Sequence, residues 1–411
     1  MRRRTLLAGA GGALIASRIG TASPQSASSI PLGFCAPLSG TNAPVGQPLL
    51  LGAQIACDQI NAKGGVNGRK IELIVLDDQG DPTRAATNIR ELSSRGISLF
   101  LGPATTATGM AVIGLVQSVN GVYFGLTVND ERLTHELFNR HYFQTVENSY
   151  TRGNVFAEVM ANRYPEITSW TGAIWDAGVG HDYWNDVAKA LHKYYLKIAK
   201  RDVTIIEPVF CKTGTTDFKV QISQLLQAPA QGLVTIMGGS DGITFYKQMV
   251  PFGLAKKFSV FLDGAIDINL AKALGRNIPP NVWSGSHWYY DAAQSNTLSQ
   301  ELAREVIKRT GEVPHGFVGV GHLSVTMCTA AIEQTGSVDT DTVISALERM
   351  KTTTVKGSTY FRKEDHQIIA NSYLFNLKPK DGPPGFETNE TIVVPIEDAV
   401  NPPEPGRKWS Q

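Results

Sequence analysis

The feature that most constrains the fold of this 411-residue chain is an alternation between short apolar runs and longer stretches with helical periodicity. Strands that alternate with helices pair in parallel within one sheet, with helices on both faces. The pattern therefore predicts an α/β fold built from β-α-β units on a parallel sheet. It places strands at residues 31–36, 70–76, 98–101 and 122–126, and helices at residues 46–62, 82–94 and 106–119.

A second series of the same kind follows, and it predicts a second lobe, since the chain is longer than the usual ~100 to 200 residues of one domain. A further strand is predicted at 282–289, and three helices with no strand between them follow it. Without a strand these helices cannot form a third sheet, so we expect them to pack against one of the two lobes. The last 33 residues, 379–411, hold seven prolines and predict an extended tail on the surface. The second series comprises helices at 150–163, 181–199, 217–227 and 243–251, and strands at 171–175, 203–209 and 232–237.

Residues 1–22 are typical of a secretory signal peptide, with an arginine cluster, a short apolar run and then small residues. Arg3 and Arg4 followed by Thr-Leu-Leu resemble a twin-arginine signal. We expect cleavage after Ala22, with Ala27 as the alternative. No later stretch approaches the ~18 apolar residues of a membrane span, so an exported protein that does not span the membrane is predicted.

Charge and motif content exclude several classes of function. Without residues 1–22 the formal net charge changes from +1 to −3. A slightly acidic protein does not attract the phosphate backbone, so nucleic acid is not an expected partner. The four cysteines are widely spaced, and we expect buried thiols; Cys35 lies inside a predicted strand, where it cannot carry a lipid anchor. No H-E-x-x-H, G-x-S-x-G or phosphate-loop motif occurs, so neither a metal site nor a cofactor is expected and binding is favoured over catalysis.

Three segments carry a resemblance to a known family: APLSG at 36–40, INAKGGVNGRKIELIVLDDQGDP at 60–82 and LGPATTAT at 101–108. With them the chain resembles the periplasmic solute-binding proteins of branched-chain amino acid ABC transporters, the leucine/isoleucine/valine-binding type. The likeness covers roughly residues 30–380.

The resemblance implies a type I periplasmic binding protein, in which two doubly wound parallel-sheet lobes are joined by three crossovers and hold the ligand between them. Lobe 1 would comprise residues 30–147 and 288–356, and lobe 2 residues 148–287 and 357–378. The crossovers would lie near 147–150, 285–289 and 355–360.

In lobe 1 the best anion site is the segment 102–108, between a predicted strand and a predicted helix. Helix N-termini direct N–H groups and a partial positive charge toward such a site, and Thr105 and Thr106 add hydroxyls. The alternative is that these threonines only cap the helix. The resemblance implies that Thr106 binds a ligand carboxylate and that Thr127 and Asn129 contact its amino and carboxylate groups.

Lobe 2 candidates occupy the equivalent strand ends: Asp176, His181, Ser240 and Asp263. Here the chain departs from the family pattern, because Ser240 stands where the amino acid binders have a tyrosine. The acid that would hold an ammonium group is Asp263 or Asp267.

Tyr150, beside the first crossover, is the aromatic residue that we expect to touch the ligand. We therefore predict a monomeric periplasmic component that captures a small carboxylate-bearing solute, a branched-chain or other amino acid, and presents it to an ABC permease of the inner membrane. Three alternatives stay open: a binder of aromatic or aliphatic acids, a periplasmic sensor that signals to a receptor, and an exported hydrolase, which would show turnover.

Overall fold

The computed structural model describes residues 29–264, 268–292, 295–382 and 384–409. The predicted signal peptide and Asp267 lie outside these residues.

Lobe 1 begins with a five-stranded sheet in the order β2-β1-β3-β4-β5, in which every neighbouring pair is parallel. The strand order reverses between β1 and β3, which is where ligands bind in open α/β sheets. The elements are β1 (Ile30–Ala36), α1 (Ala43–Ala62), β2 (Ile71–Asp77), α2 (Pro82–Ser94), β3 (Leu99–Leu101), α3 (Thr106–Ser118), β4 (Val122–Gly125) and β5 (Tyr142–Gln144).

Lobe 2 follows with a second sheet, in which β6 to β11 pair in parallel. Its elements are α4 (Ser149–Arg163), β6 (Ser169–Trp175), α5 (Gly178–Tyr194), β7 (Thr204–Ile205), β8 (Val209–Cys211), α6 (Lys219–Gln227), β9 (Gly232–Ile236), α7 (Gly239–Met249), β10 (Val260–Asp263), α8 (Ile268–Leu274) and β11 (Val282–Ser286). The predicted doubly wound α/β fold with two lobes is confirmed.

The chain then returns to lobe 1 for three helices and crosses back through a small antiparallel sheet, β12-β13-β14. The helices pack into the same core as β1 and β3, as the sequence predicted. The elements are α9 (Thr297–Thr310), α10 (Gly316–Thr335), α11 (Thr340–Leu347), β12 (Thr352–Thr354), β13 (Gly357–Phe361), β14 (Ile368–Ile369), β15 (Asn371–Pro379) and β16 (Phe386–Pro395).

The prediction of an extended surface tail from residue 379 is wrong for residues 386–395. They form β16, the edge strand of the lobe 2 sheet, paired antiparallel with β15. The prolines do not prevent this, because Pro379 and Pro395 are the last residues of their strands and interrupt neither ladder. Beyond β16 the chain crosses to lobe 1, where the Gly406 N–H donates to the His135 carbonyl over 2.7 Å.

Helices α1 and α10 of lobe 1 pack with their backbones in contact. A Cβ atom on Gly52 would lie 1.9 Å from the Val318 carbonyl oxygen, and one on Gly321 would lie 2.0 Å from that of Leu49. Within the described ranges, α10 is the one helix long and apolar enough to cross a membrane, but 78% of its apolar window is buried. This helix is therefore a core helix of lobe 1.

The four cysteines are free and buried in the cores, as the sequence predicted.

Candidate functional site

A cavity of about 300 Å³ lies between the two lobes and against the second crossover. This volume is within the range of small-molecule sites. Lobe 1 lines it with Pro44, Val45, Thr127, Asn129, His315 and Phe317, lobe 2 with Arg152, Gly239, Ile243, Asn269 and Leu270, and the crossover with Ser286 and His287.

Three long helices begin at the wall of the cavity. Pro44 and Val45 are in the first turn of α1, Gly239 opens α7, and His315 and Phe317 flank the start of α10. The N-terminus of a helix carries unpaired N–H groups and a partial positive charge. The electrostatics of the cavity therefore favour an anion.

Arg152 adds a full positive charge to the lobe 2 wall. It lies in the first turn of α4, where its Nη2 donates to the Gly285 carbonyl over 3.4 Å and its guanidinium lies 5.7 Å from the Phe156 ring centroid. Within the part of the chain that the structure describes, Arg152 makes no ion pair with a carboxylate. A half-buried guanidinium without a carboxylate partner can bind an anionic ligand bidentately.

The three crossovers meet behind the cavity in a buried group that we call the hinge cluster: Glu147, His287 and Lys356. Glu147 Oε2 lies 3.0 Å from His287 Nδ1 and 3.3 Å from Lys356 Nζ. Ser372 Oγ donates to Glu147 Oε1 over 3.0 Å. The cluster thus connects the first, second and third crossovers through one carboxylate.

Burial and charge shift the pKa values of this cluster. Burial alone would raise the pKa of Glu147, but the Lys356 ammonium and His287 outweigh it and hold that pKa well below its usual value. Burial lowers the pKa of His287, and Glu147 only partly opposes this effect. Burial likewise lowers the pKa of Lys356 against the attraction of Glu147.

An aromatic wall stands beside His287. The Phe317 ring lies 6.0 Å from the His287 ring, centroid to centroid, at an interplanar angle of 24°, and 4.5 Å from the ring of His315. His315 Nδ1 accepts the Phe317 backbone N–H over 3.1 Å and caps α10, so its proton is on Nε2 in the uncharged form. Phe317 can pack against the apolar part of a ligand while the imidazoles supply polar atoms.

Two of the predicted ligand residues, Thr127 and Asn129, line the cavity. The Thr127 hydroxyl donates to the Ala104 carbonyl and so connects the loop after β4 to the segment before α3. This leaves the hydroxyl oxygen as an acceptor, while the Asn129 amide can both donate and accept. That these two residues bind a ligand stays a prediction.

The other predicted lobe 1 residues lie off the cavity wall. Thr105 caps α3 in a capping box, in which its Oγ1 accepts the Thr108 N–H over 3.3 Å and Thr108 Oγ1 accepts the Thr105 N–H over 3.2 Å. This is the capping alternative that the sequence left open. Thr106 is the half-buried first residue of α3.

The lobe 2 candidates and Tyr150 also lie off the cavity wall in the described structure. The rings of Tyr150 and Trp409 are nearly perpendicular, with centroids 5.5 Å apart, and the Tyr150 backbone N–H donates to Glu131 Oε1 over 3.0 Å. Asp176 and His181 pair with each other at 3.0 Å on the surface.

Ser240 is exposed in the first turn of α7, and Asp263 is fully buried at the end of β10. The ligand-binding roles of the seven residues off the wall stay predictions.

Arg152, His287, His315 and Phe317 are the site residues that sequence reasoning missed. Two signals could have found part of the set: Arg152 is two residues beyond Tyr150, and His287 lies inside the predicted second crossover. His315 and Phe317 flank the start of α10, a helix that the sequence predicts only as a cover for a lobe.

The chain matches one protein family and the named relatives and structures that follow. Residues 29–383 match the periplasmic binding protein family. A "Leu/Ile/Val-binding protein homolog 2" of Brucella abortus is 25% identical over 362 residues, which cover 86% of this chain and 92% of the relative.

Two solved structures share the fold. A structure from Rhodopseudomonas palustris, described as an ABC-type branched-chain amino acid transporter, superposes with a TM-score of 0.79 at 21% identity, covering 93% of this chain and 100% of that one. A solute-binding protein of an ABC transporter from the same species, in complex with 3,4-dihydroxybenzoic acid, gives a TM-score of 0.74 at 17% identity, covering 90% and 98%. The chain therefore belongs to the periplasmic binding protein family.

Proposed function

We propose that this protein is the solute-binding component of an ABC transporter, and that it captures a small carboxylate-bearing molecule between its lobes for delivery to a permease. One observation carries the proposal: the interlobe cavity has Arg152 on its wall, with no carboxylate partner in the described residues, beside the N-termini of three helices. Both features stabilise a ligand anion.

Closure of the two lobes around the ligand is the expected mechanism. Thr127 and Asn129 belong to lobe 1 and Arg152 to lobe 2, so a ligand that touches all three connects the lobes and stabilises the closed form. A micromolar affinity requires about 8 kcal/mol. Several charge-assisted hydrogen bonds of about 1.5 to 3 kcal/mol each, with apolar burial against Phe317, can supply this.

Two ligand chemistries have specific support. The relative in Brucella abortus is named for leucine, isoleucine and valine, whereas one solved neighbour holds an aromatic acid. The Phe317 wall supports either a branched aliphatic or an aromatic body. In both cases the carboxylate is the group that we assign to Arg152.

The proposed transport role also carries expectations for export, oligomeric state and partner. Arg3 and Arg4 support export by the twin-arginine route, and the protein is expected to act as a monomer that binds without turnover. Genes for a permease and an ATPase beside this one would support transport, and a kinase gene would support sensing instead.

Thermal-shift and calorimetric titration with L-leucine, 4-methylpentanoate and benzoate test the proposal. The first two differ only in the α-amino group, so they separate amino acid binding from acid binding. At least one should raise the melting temperature, as linkage requires. Arg152→Gln should weaken its binding at least about tenfold, the loss of one charge-assisted contact.

Arg90→Gln is the matched control, since it removes the same charge from an exposed position of α2. It should leave the affinity unchanged. Failure of all three acids to raise the melting temperature, or an unchanged affinity in Arg152→Gln, would contradict the proposed ligand class.

A further inference from the structure

His287 connects the cavity to the hinge cluster. Its ring lines the cavity beside Phe317, and its Nδ1 lies 3.0 Å from Glu147 Oε2 in the buried cluster. Among the described lining residues, it is the one that also contacts Glu147.

The position of the ring proton follows from this contact. An unprotonated ring nitrogen 3.0 Å from a carboxylate oxygen would be repelled by it, so in the uncharged ring the proton belongs on Nδ1 and Nε2 has the lone pair. The Nδ1–H is buried and is not aligned with Glu147 for a hydrogen bond. A lone pair cannot donate a hydrogen bond to an incoming carboxylate. For His287 to hold the acid group of a ligand, Nε2 must first gain a proton.

The surroundings of His287 act on this second proton in opposite directions. Burial lowers the pKa of His287, Arg152 from α4 and Lys356 from the third crossover lower it further, and Glu147 from the first crossover raises it. Phe317 faces it from the start of α10, and His315, whose ring contacts that of Phe317, lines the same cavity. A ligand carboxylate would cancel one of the two neighbouring positive charges and so favour a second proton on the ring.

We propose that His287 is a ligand-binding residue of the carboxylate site, and that its imidazole takes up one proton from solvent when a carboxylate enters the cavity. The resulting imidazolium lies between Glu147 and the ligand, and its Nε2–H and the Arg152 guanidinium hold the acid group from the hinge side and from lobe 2. This assignment rests on the proposed function, because it requires an acidic solute in the cavity.

Proton uptake also discriminates between ligand groups at this position. An ammonium group could donate to the neutral Nε2 with no change in protonation, whereas a carboxylate could not. Thus the number of protons taken up reports which end of an amino acid faces His287, and a simple acid whose carboxylate contacts His287 binds with uptake.

Calorimetric titration in phosphate and in Tris measures the uptake directly, because the buffers release protons with different enthalpies. The titrants are L-leucine, 4-methylpentanoate and benzoate. For wild type we expect uptake of about 0.5 to 1 proton per bound acid near neutral pH, and an affinity that falls by up to about tenfold per pH unit as the pH rises.

His287→Gln should bind more weakly, with no proton uptake and a flat pH profile. His192→Gln is the matched control, because this histidine pairs with Asp202 on the surface, and it should behave as wild type. If His287→Gln does not fold, as judged by circular dichroism, the wild-type proton count decides alone.

A simple acid that binds wild type without proton uptake would overturn the assignment, as would uptake that persists in His287→Gln. Failure of all three titrants to bind is a different result. It contradicts the proposed carboxylate function itself, and the assignment falls with it.

Discussion

Replacing Lys356 by methionine should destabilise the hinge cluster by several kcal/mol. Lys356 Nζ lies 3.3 Å from Glu147 Oε2, and each side chain is only 1% exposed. At an effective dielectric constant of about 20, that separation corresponds to about 5 kcal/mol of attraction. In Lys356→Met, Glu147 keeps the Ser372 hydroxyl and an uncharged His287 but loses its counter-ion. Leaving one charge of a buried pair uncompensated typically costs about 3 to 5 kcal/mol.

Urea unfolding followed by tryptophan fluorescence measures this loss. We expect the free energy of unfolding of Lys356→Met to fall by about 3 to 5 kcal/mol, and the Glu147→Gln/Lys356→Met double variant to lose at least about 2 kcal/mol less than the sum of the single variants. Lys378→Met is the matched control, because its pair with Glu387 is exposed, and it should change stability by less than about 1 kcal/mol. A Lys356→Met loss no larger than that of the control, or additive single variants, would refute the reasoning.

Two further predictions concern lobe 1. Gly321→Ala would force its Cβ against the Leu49 carbonyl oxygen and should lower the free energy of unfolding by about 1 to 3 kcal/mol or more. Gly114→Ala is the control: its Cβ meets open space in α3, so the change should be neutral or stabilising. Equal effects of the two variants in urea unfolding would contradict the backbone contact of α1 and α10. Burial lowers the pKa of His322, which pairs with Gln59, to about 4, so the folded ring stays uncharged where the unfolded one is protonated. Stability should therefore fall as the pH drops from about 6.5 to about 4, by up to about 3 kcal/mol, and His322→Gln should remove this part of the acid sensitivity; a variant with the wild-type pH profile would contradict it.

The fold was largely predictable because it depends on patterns local in sequence. The predicted helix at 82–94 matches α2, where Asp81 caps the N-terminus and Pro82 occupies a first turn that needs no N–H. The start of α7 was predicted four residues late, because Gly238 and Gly239 predict a loop, although the helix begins at Gly239. As a result, Ser240 is in a helical turn and not in a loop.

The site was less predictable because the cavity is assembled from separate parts of the chain. Thr127 and Asn129 could be found from a strand end and a family likeness. Arg152 and His287 follow no spacing rule, because their side chains line one cavity only when the first and second crossovers lie side by side. The asymmetry is physical: strand and helix periodicity is local, whereas the lining of an interlobe cavity depends on tertiary packing.

A crystal structure of the protein with whichever of the three carboxylates binds tests the central claim most directly. The account predicts closed lobes with the acid group of the ligand within about 2.7 to 3.2 Å of the Arg152 guanidinium and the rest of the ligand against Phe317. A ligand bound outside the interlobe cavity, or inside it with its acid group directed away from Arg152, would contradict it.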